Sequence, residues 1–395
     1  SVYSVALRQR DKGRNDLIRK ITNQAMPYAW GSRTLISDYL GIHATGQPMA
    51  EIWFGTHESS MASDLEDSTK SLLDLRGQRP LSFLLKILAA DSPLSIQAHP
   101  NLEQAAAGFE RENRAGIPLS AAHRNYRDAG HKPEMIVALS EFEALCGFRS
   151  VDYVRELLED IQSYPATEDL KEAAAEWAKL LDGSLKPLVS HLLHSRAQFG
   201  VLSVALAALA SFDGRFELCH RLNELYPGDP GVVIAMMMHH VHLQPGEALF
   251  LPAQNIHAYL SGLGVEVMAA SDNVLRGGLT TKHIDVLELE SVVNFAEEKV
   301  ERVHQVEVAN GLVEFKTPVD DFVLYRVEPS GDRMLADLTL GADAVALCTG
   351  GEVAISNSLG ERVVLLRGEA AFIANDAKLT SFAGSGTLFV AVGRD

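Results

Sequence analysis

The sequence predicts a mainly β protein of two small barrels, the first interrupted by an inserted block of helices. Three observations carry this reading. Residues 151–228 place apolar side chains at helical spacing: Val154, Leu157, Leu158 and Ile161, then Leu170, Ala174, Trp177, Leu180 and Leu181. From about residue 232 the pattern becomes short apolar runs bounded by Gly, Pro, Asn and Asp, such as Ala248–Leu251, Val265–Met268, Val323–Val327, Val345–Leu347, Val363–Leu366 and Leu388–Val392. Strands at that spacing suggest a barrel or sandwich. Finally, Gly246-Glu247-Ala248-Leu249-Phe250 recurs 122 positions later as Gly368-Glu369-Ala370-Ala371-Phe372, an internal repeat that sets the architecture.

Residues 1–20 are rich in Arg and Lys but have no apolar core segment, so they read as a loose arm or expression remnant and not as a signal peptide. Residues 21–149 are mixed, with β-like runs at Glu51–Phe54 and Leu94–Gln97. Tyr226-Pro227-Gly228-Asp229-Pro230 is a dense stop signal after the helices. The expected division is residues 21–149 with 230–310 as a first barrel, 150–229 as helical insertion and 311–395 as a second barrel.

Composition narrows the function. A chain of 395 residues suits two or three domains, and 47% apolar with 22% charged residues is ordinary for a globular protein. The 35 Lys and Arg against 52 Asp and Glu leave a net charge of −17, which disfavours nucleic acid and anionic membranes. Cys146, Cys219 and Cys348 are too scattered for a disulfide framework, and a reducing, cytoplasmic compartment is expected. The longest apolar run, Phe199 to Phe212, is too short to span a bilayer and suits a buried helix.

Gly246-x5-Pro252-x4-His257 resembles the second motif of the cupin superfamily, in which a turn and a strand present a metal-binding His at the barrel rim. Gln254 stands where that family usually has Gly, and Ser261 where it has Asn; the second copy has Ala374 for the Pro and Leu379 for the His. The fold class is therefore a double cupin, two β-barrel or jelly-roll domains with an inserted α-helical domain, and only the first barrel keeps the motif's metal-binding His.

Other segments carry chemistry. On a strand Gln97 and His99 face one way, and Pro100 ends the pairing; by itself this pair also fits a hydrogen-bonded core. Gly130-His131-Lys132-Pro133-Glu134 packs three titratable groups at a strand entrance, or makes a charged loop. With Tyr28-Ala29-Trp30-Gly31, Ala50-Glu51-Ile52-Trp53-Phe54-Gly55-Thr56-His57, Ser95–Pro100, His131–Glu134 and the stretch 250–285, the chain resembles the type I mannose-6-phosphate isomerase (phosphomannose isomerase) family. The motifs occur in family order from about residue 23; the helical block and C-terminal barrel match only in length and character.

The resemblance implies a zinc-dependent isomerase that interconverts mannose 6-phosphate and fructose 6-phosphate through a cis-enediol, with one Zn2+ per chain on Gln97, His99, Glu134 and His257. Two nitrogen and two oxygen ligands with an open position suit a catalytic zinc. It also assigns a working role to Arg276, here stabilising the enediolate or positioning substrate, against an ion pair with Asp272 four residues away. For the base, His131 ranks first for its ordinary pKa, then Glu266, with Tyr259 and Asp272 nearby. Lys132 and Lys86 lead as phosphate cations; Ser95 and Lys282 follow, and Trp30 and Tyr259 form sugar-stacking walls. His240 and His242 share a strand face and can chelate metal, but lie outside the family motif and read as barrel residues. A monomer is expected. The rival readings are a sugar-phosphate sensor and a metal-dependent cupin oxygenase.

Overall fold

A computed structural model describes residues 16–331, 338–377 and 379–394; most of the basic N-terminal arm lies outside them. Two antiparallel sheets, of ten and eleven strands, form the two barrels of a double cupin. The helices Val151–Asp160, Glu168–Lys179, Lys186–His194, Phe199–Ala208, Glu217–Leu225 and Gly231–Met236 run in succession between strands Phe142–Phe148 and Met238–Leu243 of the first sheet. The long apolar run Phe199–Phe212 forms a helix and a 3-10 turn, and no helix among the described residues is long and apolar enough to cross a membrane.

The repeat seen in the sequence is reproduced in backbone detail. Gly246 and Gly368 both take φ of +91°, a left-handed conformation that glycine adopts without a Cβ clash. The Gly246 amide donates to the Ala138 carbonyl and the Gly368 amide to the Cys348 carbonyl, each at 2.8 Å. Glu247 accepts from the Gln244 amide through Oε2, and Glu369 accepts from Leu366 in the same way. Strands Ala248–Leu251 and Ala370–Ile373 follow, then long strands His257–Ala269 and Leu379–Val392. His257 and Leu379 thus open equivalent strands. Glu134, opposite Leu251, corresponds to Ala344, opposite Ile373. The second barrel has exchanged two polar groups for apolar ones.

Alternation along the strands decides what each wall faces. Ile96, Ala98, Ile256, Ala258, Leu260 and Leu275 pack with the helical block, in one core with Trp177, Leu188 and Val233. Their neighbours Gln97, His257, Tyr259 and Arg276 therefore point the other way, because side chains alternate with a period of two. Along strands Phe83–Ala90 and His257–Ala269, Leu85, Ile87, Val265 and Val267 pack against Phe315, Phe372 and Phe389 of the second barrel. Lys86 and Glu266 project to the opposite side. The inserted helices and second barrel hold two walls of one cavity.

Two pairings cross the boundaries expected from sequence. Strand Ile18–Thr22 pairs with Ala370–Ile373, so it belongs to the second sheet although its sequence neighbours build the first. Strand Gln305–Ala309 pairs with Leu312–Phe315 across the boundary expected at 310. The first pairing joins the two ends of the chain, which local patterning does not record, whereas the second is a local hairpin whose strand Gln305–Ala309 forms the edge of its sheet.

Candidate active site

Three strands set the first part of the site. In the cross-strand register His257 lies opposite Gln97, and Gln97 lies opposite Arg276, so the three share one face of the sheet. Glu134 enters from the first residue of strand Glu134–Ala138. His99 follows strand Ile96–Ala98, and its carbonyl accepts from the Gln254 amide at 2.7 Å. Gln254 sits at φ +67°, the left-handed region that explains why glycine is usual there.

The imidazoles of His99 and His257 are fully buried and face Glu134. His99 Nδ1 lies 2.7 Å from the Asn273 carbonyl and His257 Nδ1 lies 3.1 Å from the Asn255 carbonyl. A carbonyl only accepts, so each Nδ1 carries the proton and each Nε2 keeps a lone pair. Those Nε2 atoms stand 3.4 Å from the two oxygens of Glu134. Neither has a hydrogen-bond partner, although both are buried. Buried polar atoms are rarely left unsatisfied, and two lone pairs beside a carboxylate fit a cation. Burial and the nearby Lys132 charge push the His99 pKa down to about 4, keeping the ring neutral. Burial alone would raise Glu134, but Lys132, His99 and His257 outweigh it and hold this carboxyl well below its ordinary value. The donor set suits zinc, with Gln97 lining the adjoining space.

That space is a cavity of about 360 Å³ lined by Tyr28, Glu51, Trp53, Lys86, Gln97, Lys132, Glu134, Tyr259, Glu266 and Arg276, among others. A neighbouring lobe of about 590 Å³ shares Tyr28, Gln97 and Arg276 and adds Trp30, Ser95 and Lys282. In the first lobe Lys86 is buried with Nζ 3.4 Å from Glu51 and 3.3 Å from Glu266. Burial would strip its proton; the two carboxylates reverse that and hold the pKa above the ordinary lysine value. Glu266 also accepts from the Tyr259 hydroxyl at 2.7 Å. Burial, offset in part by Lys86 and reinforced by Glu134 and Glu51, raises the Glu266 pKa.

Several expected residues are placed otherwise. His131 does not line either lobe: its Nε2 lies 2.8 Å from Asp321, across to the second barrel. Lys132 lines the cavity but its ammonium lies 3.0 Å from Glu134 and compensates that carboxylate. Lys86 is likewise engaged by two acids. Arg276 forms no ion pair with Asp272, which instead meets His57 at 2.9 Å. Arg276 and Lys282 form no side-chain hydrogen bond or ion pair among the described residues. Burial and then like-charge repulsion, from Arg127 on Arg276 and from Arg276 and Arg127 on Lys282, lower both pKa values. Arg276 and Lys282, two uncommitted cations on the second lobe, make a receptor for an anion, while Arg127, whose guanidinium donates to the Leu119 carbonyl at 3.1 Å, lines the first. Trp30 stacks on Tyr28 at 5.7 Å beside the second lobe.

Sequence reasoning missed Arg127, Glu51 and Asn273. Asn273 is wholly buried; its side chain donates to the carbonyls of Asp128 and Gly130 and accepts from the Arg127 amide, while its own carbonyl orients His99. Only the adjacency of Asn273 to Asp272 in the Ser-Asp-Asn turn hinted at it. A test of the His131 placement is direct: His131→Asn should keep kcat within about twofold, since a part-exposed pair contributes roughly 0–1 kcal/mol to stability. A thousandfold loss would return His131 to the chemistry.

A cupin barrel with a buried two-histidine, one-glutamate metal site, opening on a cavity whose neighbouring lobe carries Arg276 and Lys282 and, among the described residues, no acid, defines a metal-dependent cupin enzyme acting on an anionic small molecule. Comparison with known proteins sharpens this. Residues 18–151 match the family model for the phosphomannose isomerase type I catalytic domain. The mannose-6-phosphate isomerase of Salmonella typhimurium is 36% identical over 94% of this chain and 98% of its own length. The human enzyme of that name is 33% identical over 88% and 90%. Among solved structures, the Salmonella typhimurium mannose 6-phosphate isomerase bound to fructose 6-phosphate and zinc superposes with a TM-score of 0.85 at 34% identity, covering 96% of this chain and 100% of that one. A mannose 6-phosphate isomerase solved in a holo, zinc-bound form matches with the same TM-score, identity and coverage. The chain belongs to the type I mannose-6-phosphate isomerase family.

Proposed function

We propose that this protein is a zinc-dependent aldose–ketose isomerase that interconverts mannose 6-phosphate and fructose 6-phosphate. The observation that carries the reading is the pair of buried, unpartnered imidazole nitrogens facing Glu134, beside a cleft in which Arg276 and Lys282 have no acidic partner among the described residues. Gln97, His99, Glu134 and His257 would hold the zinc, which when bound supplies positive charge and Lewis acidity to the C1–C2 end of the sugar.

The remaining chemistry belongs to the chain. Glu266, buried and with a raised pKa, is the base favoured by its place in the cavity: it takes the proton from C2 of the aldose and returns it to C1. A second proton passes between O1 and O2, so the reaction is redox-neutral overall. Negative charge accumulates on the cis-enediol between these steps, and Arg276, one strand from Gln97, meets it. Lys86 keeps Glu266 ionisable inside an apolar wall, and Tyr259 orients its carboxylate. Lys282, with Arg127 nearby, receives the phosphate, while Lys132 balances Glu134. Ser95, Trp30 and Tyr28 line the lobe that the sugar phosphate would enter. A cytosolic monomer is the working assignment, supported for compartment by three buried unpaired thiols.

Purified protein should convert mannose 6-phosphate to fructose 6-phosphate in a coupled assay. It should fall to background after exhaustive chelation and recover with one equivalent of zinc at the buried site. Sugar-phosphate binding without turnover in the zinc-loaded protein would support a sensor. Oxygen uptake would support an oxygenase.

A further inference from the structure

Among the described residues a second group of ligand-type side chains converges away from the cavity. Glu143, His240 and His242 bring one donor atom each within 4.8 Å of one another. His240 and His242 alternate along strand Met238–Leu243 and so share a face, and His242 lies opposite Glu143 on strand Phe142–Phe148. Their rings are 4.3 Å apart at the centroids. His240 Nε2 is 3.5 Å from Glu143 Oε2, and His242 Nδ1 is 3.9 Å from Oε1. Although the His240 side chain is only partly buried, this Nε2 atom is buried and has no hydrogen-bond partner. The group lines neither lobe of the active-site cleft.

We propose that Glu143, His240 and His242 form a second, exchangeable site for a divalent transition metal. Two imidazoles and a carboxylate are the donor set that zinc and cobalt favour, and the remaining positions open to water. Strand pairing holds all three residues in place, so little chain entropy is lost on binding. The competitor is Arg221 of helix Glu217–Leu225, whose exposed guanidinium lies 2.9 Å from Glu143. It must swing aside for the metal to enter, so this site binds more weakly than the buried one. The site ties strand Met238–Leu243, which resumes the barrel after the helical insertion, to strand Phe142–Phe148, which precedes that insertion. Metal there would stabilise the junction by binding only the folded state.

The test uses tag-free, zinc-loaded enzyme titrated with Co2+ and followed by equilibrium dialysis with metal analysis, visible absorption and Tm. The wild type should take up one further equivalent, develop d–d bands and gain Tm. The double variant His240→Gln, His242→Gln should bind no further equivalent and show no Tm gain, with isomerase turnover and the Tm before cobalt addition unchanged. Arg221→Ala should tighten the second equivalent about tenfold, roughly 1.4 kcal/mol. No second equivalent in the wild type, or one retained by the double variant, overturns the site. Because stoichiometry is read independently of turnover, this outcome stands apart from the isomerase assignment.

Discussion

Arg276→Ala should retain the buried zinc and lose kcat by about 100- to 1,000-fold, on the order of 2.7–4 kcal/mol of transition-state stabilisation. The reason is placement. Arg276 shares a sheet face with Gln97 and His257, its guanidinium has no partner among the described residues, and burial has already stripped part of its water. A desolvated and uncommitted cation is prepared for charge that develops only during reaction. Its nearest acid in sequence, Asp272, is occupied by His57. Metal analysis and steady-state kinetics on one preparation check this. An Arg276→Ala enzyme with near-normal kcat and a raised KM would restrict Arg276 to phosphate binding, and zinc loss would make it part of the metal site.

His257→Ala should abolish tight zinc binding, with affinity falling by far more than the roughly 10- to 100-fold typical for an outer partner of a ligand, and turnover falling to background. The fold should survive. The second barrel opens its equivalent long strand with Leu379 and completes the same turn, so His257 is not needed to form the strand. Removing it also leaves Glu134 with Lys132 and His99 as compensation. Far-ultraviolet circular dichroism with zinc content by elemental analysis separates the two effects. A variant that keeps one tight zinc would place the metal elsewhere.

These two residues were legible for different reasons. His257 stands in a local motif, Gly246-x5-Pro252-x4-His257, whose turn and strand are made by contiguous chain. Arg276 drew attention through family resemblance, because nothing in its own neighbourhood distinguishes it from a surface arginine paired with Asp272. His131 shows how far adjacency carries: it lies three residues from Glu134, yet it points at Asp321 of the second barrel. Lys86 and Lys132 show the same limit for charge. Each is a cation at the site, but each is already claimed by carboxylates, Lys132 by Glu134 two residues on and Lys86 by Glu51 and Glu266 from neighbouring strands, and sequence adjacency does not show which charge is spent. The uncommitted cations are Arg276 and Lys282; Arg127 stands close enough to repel both, and no spacing rule brings residue 127 to residue 276.

The net charge of −17 carries a related lesson. It has the wrong sign for a sugar phosphate, so attraction must come from local fields in a low-dielectric cleft and not from the whole molecule. Those local fields exist because acids such as Asp272, Glu51 and Glu134 are paired inside the fold.

By itself the sequence determined the repeat and the helical insertion, since each follows from contiguous patterns, turn glycines and periodic apolar residues, whereas the ligand set came to it only through family resemblance. Only the tertiary structure decided which charges are spent and which are free, which tautomer each imidazole takes, and that strand Ile18–Thr22 closes the far barrel. Those properties depend on burial and on partners brought together by strand register, and a local segment of chain encodes neither.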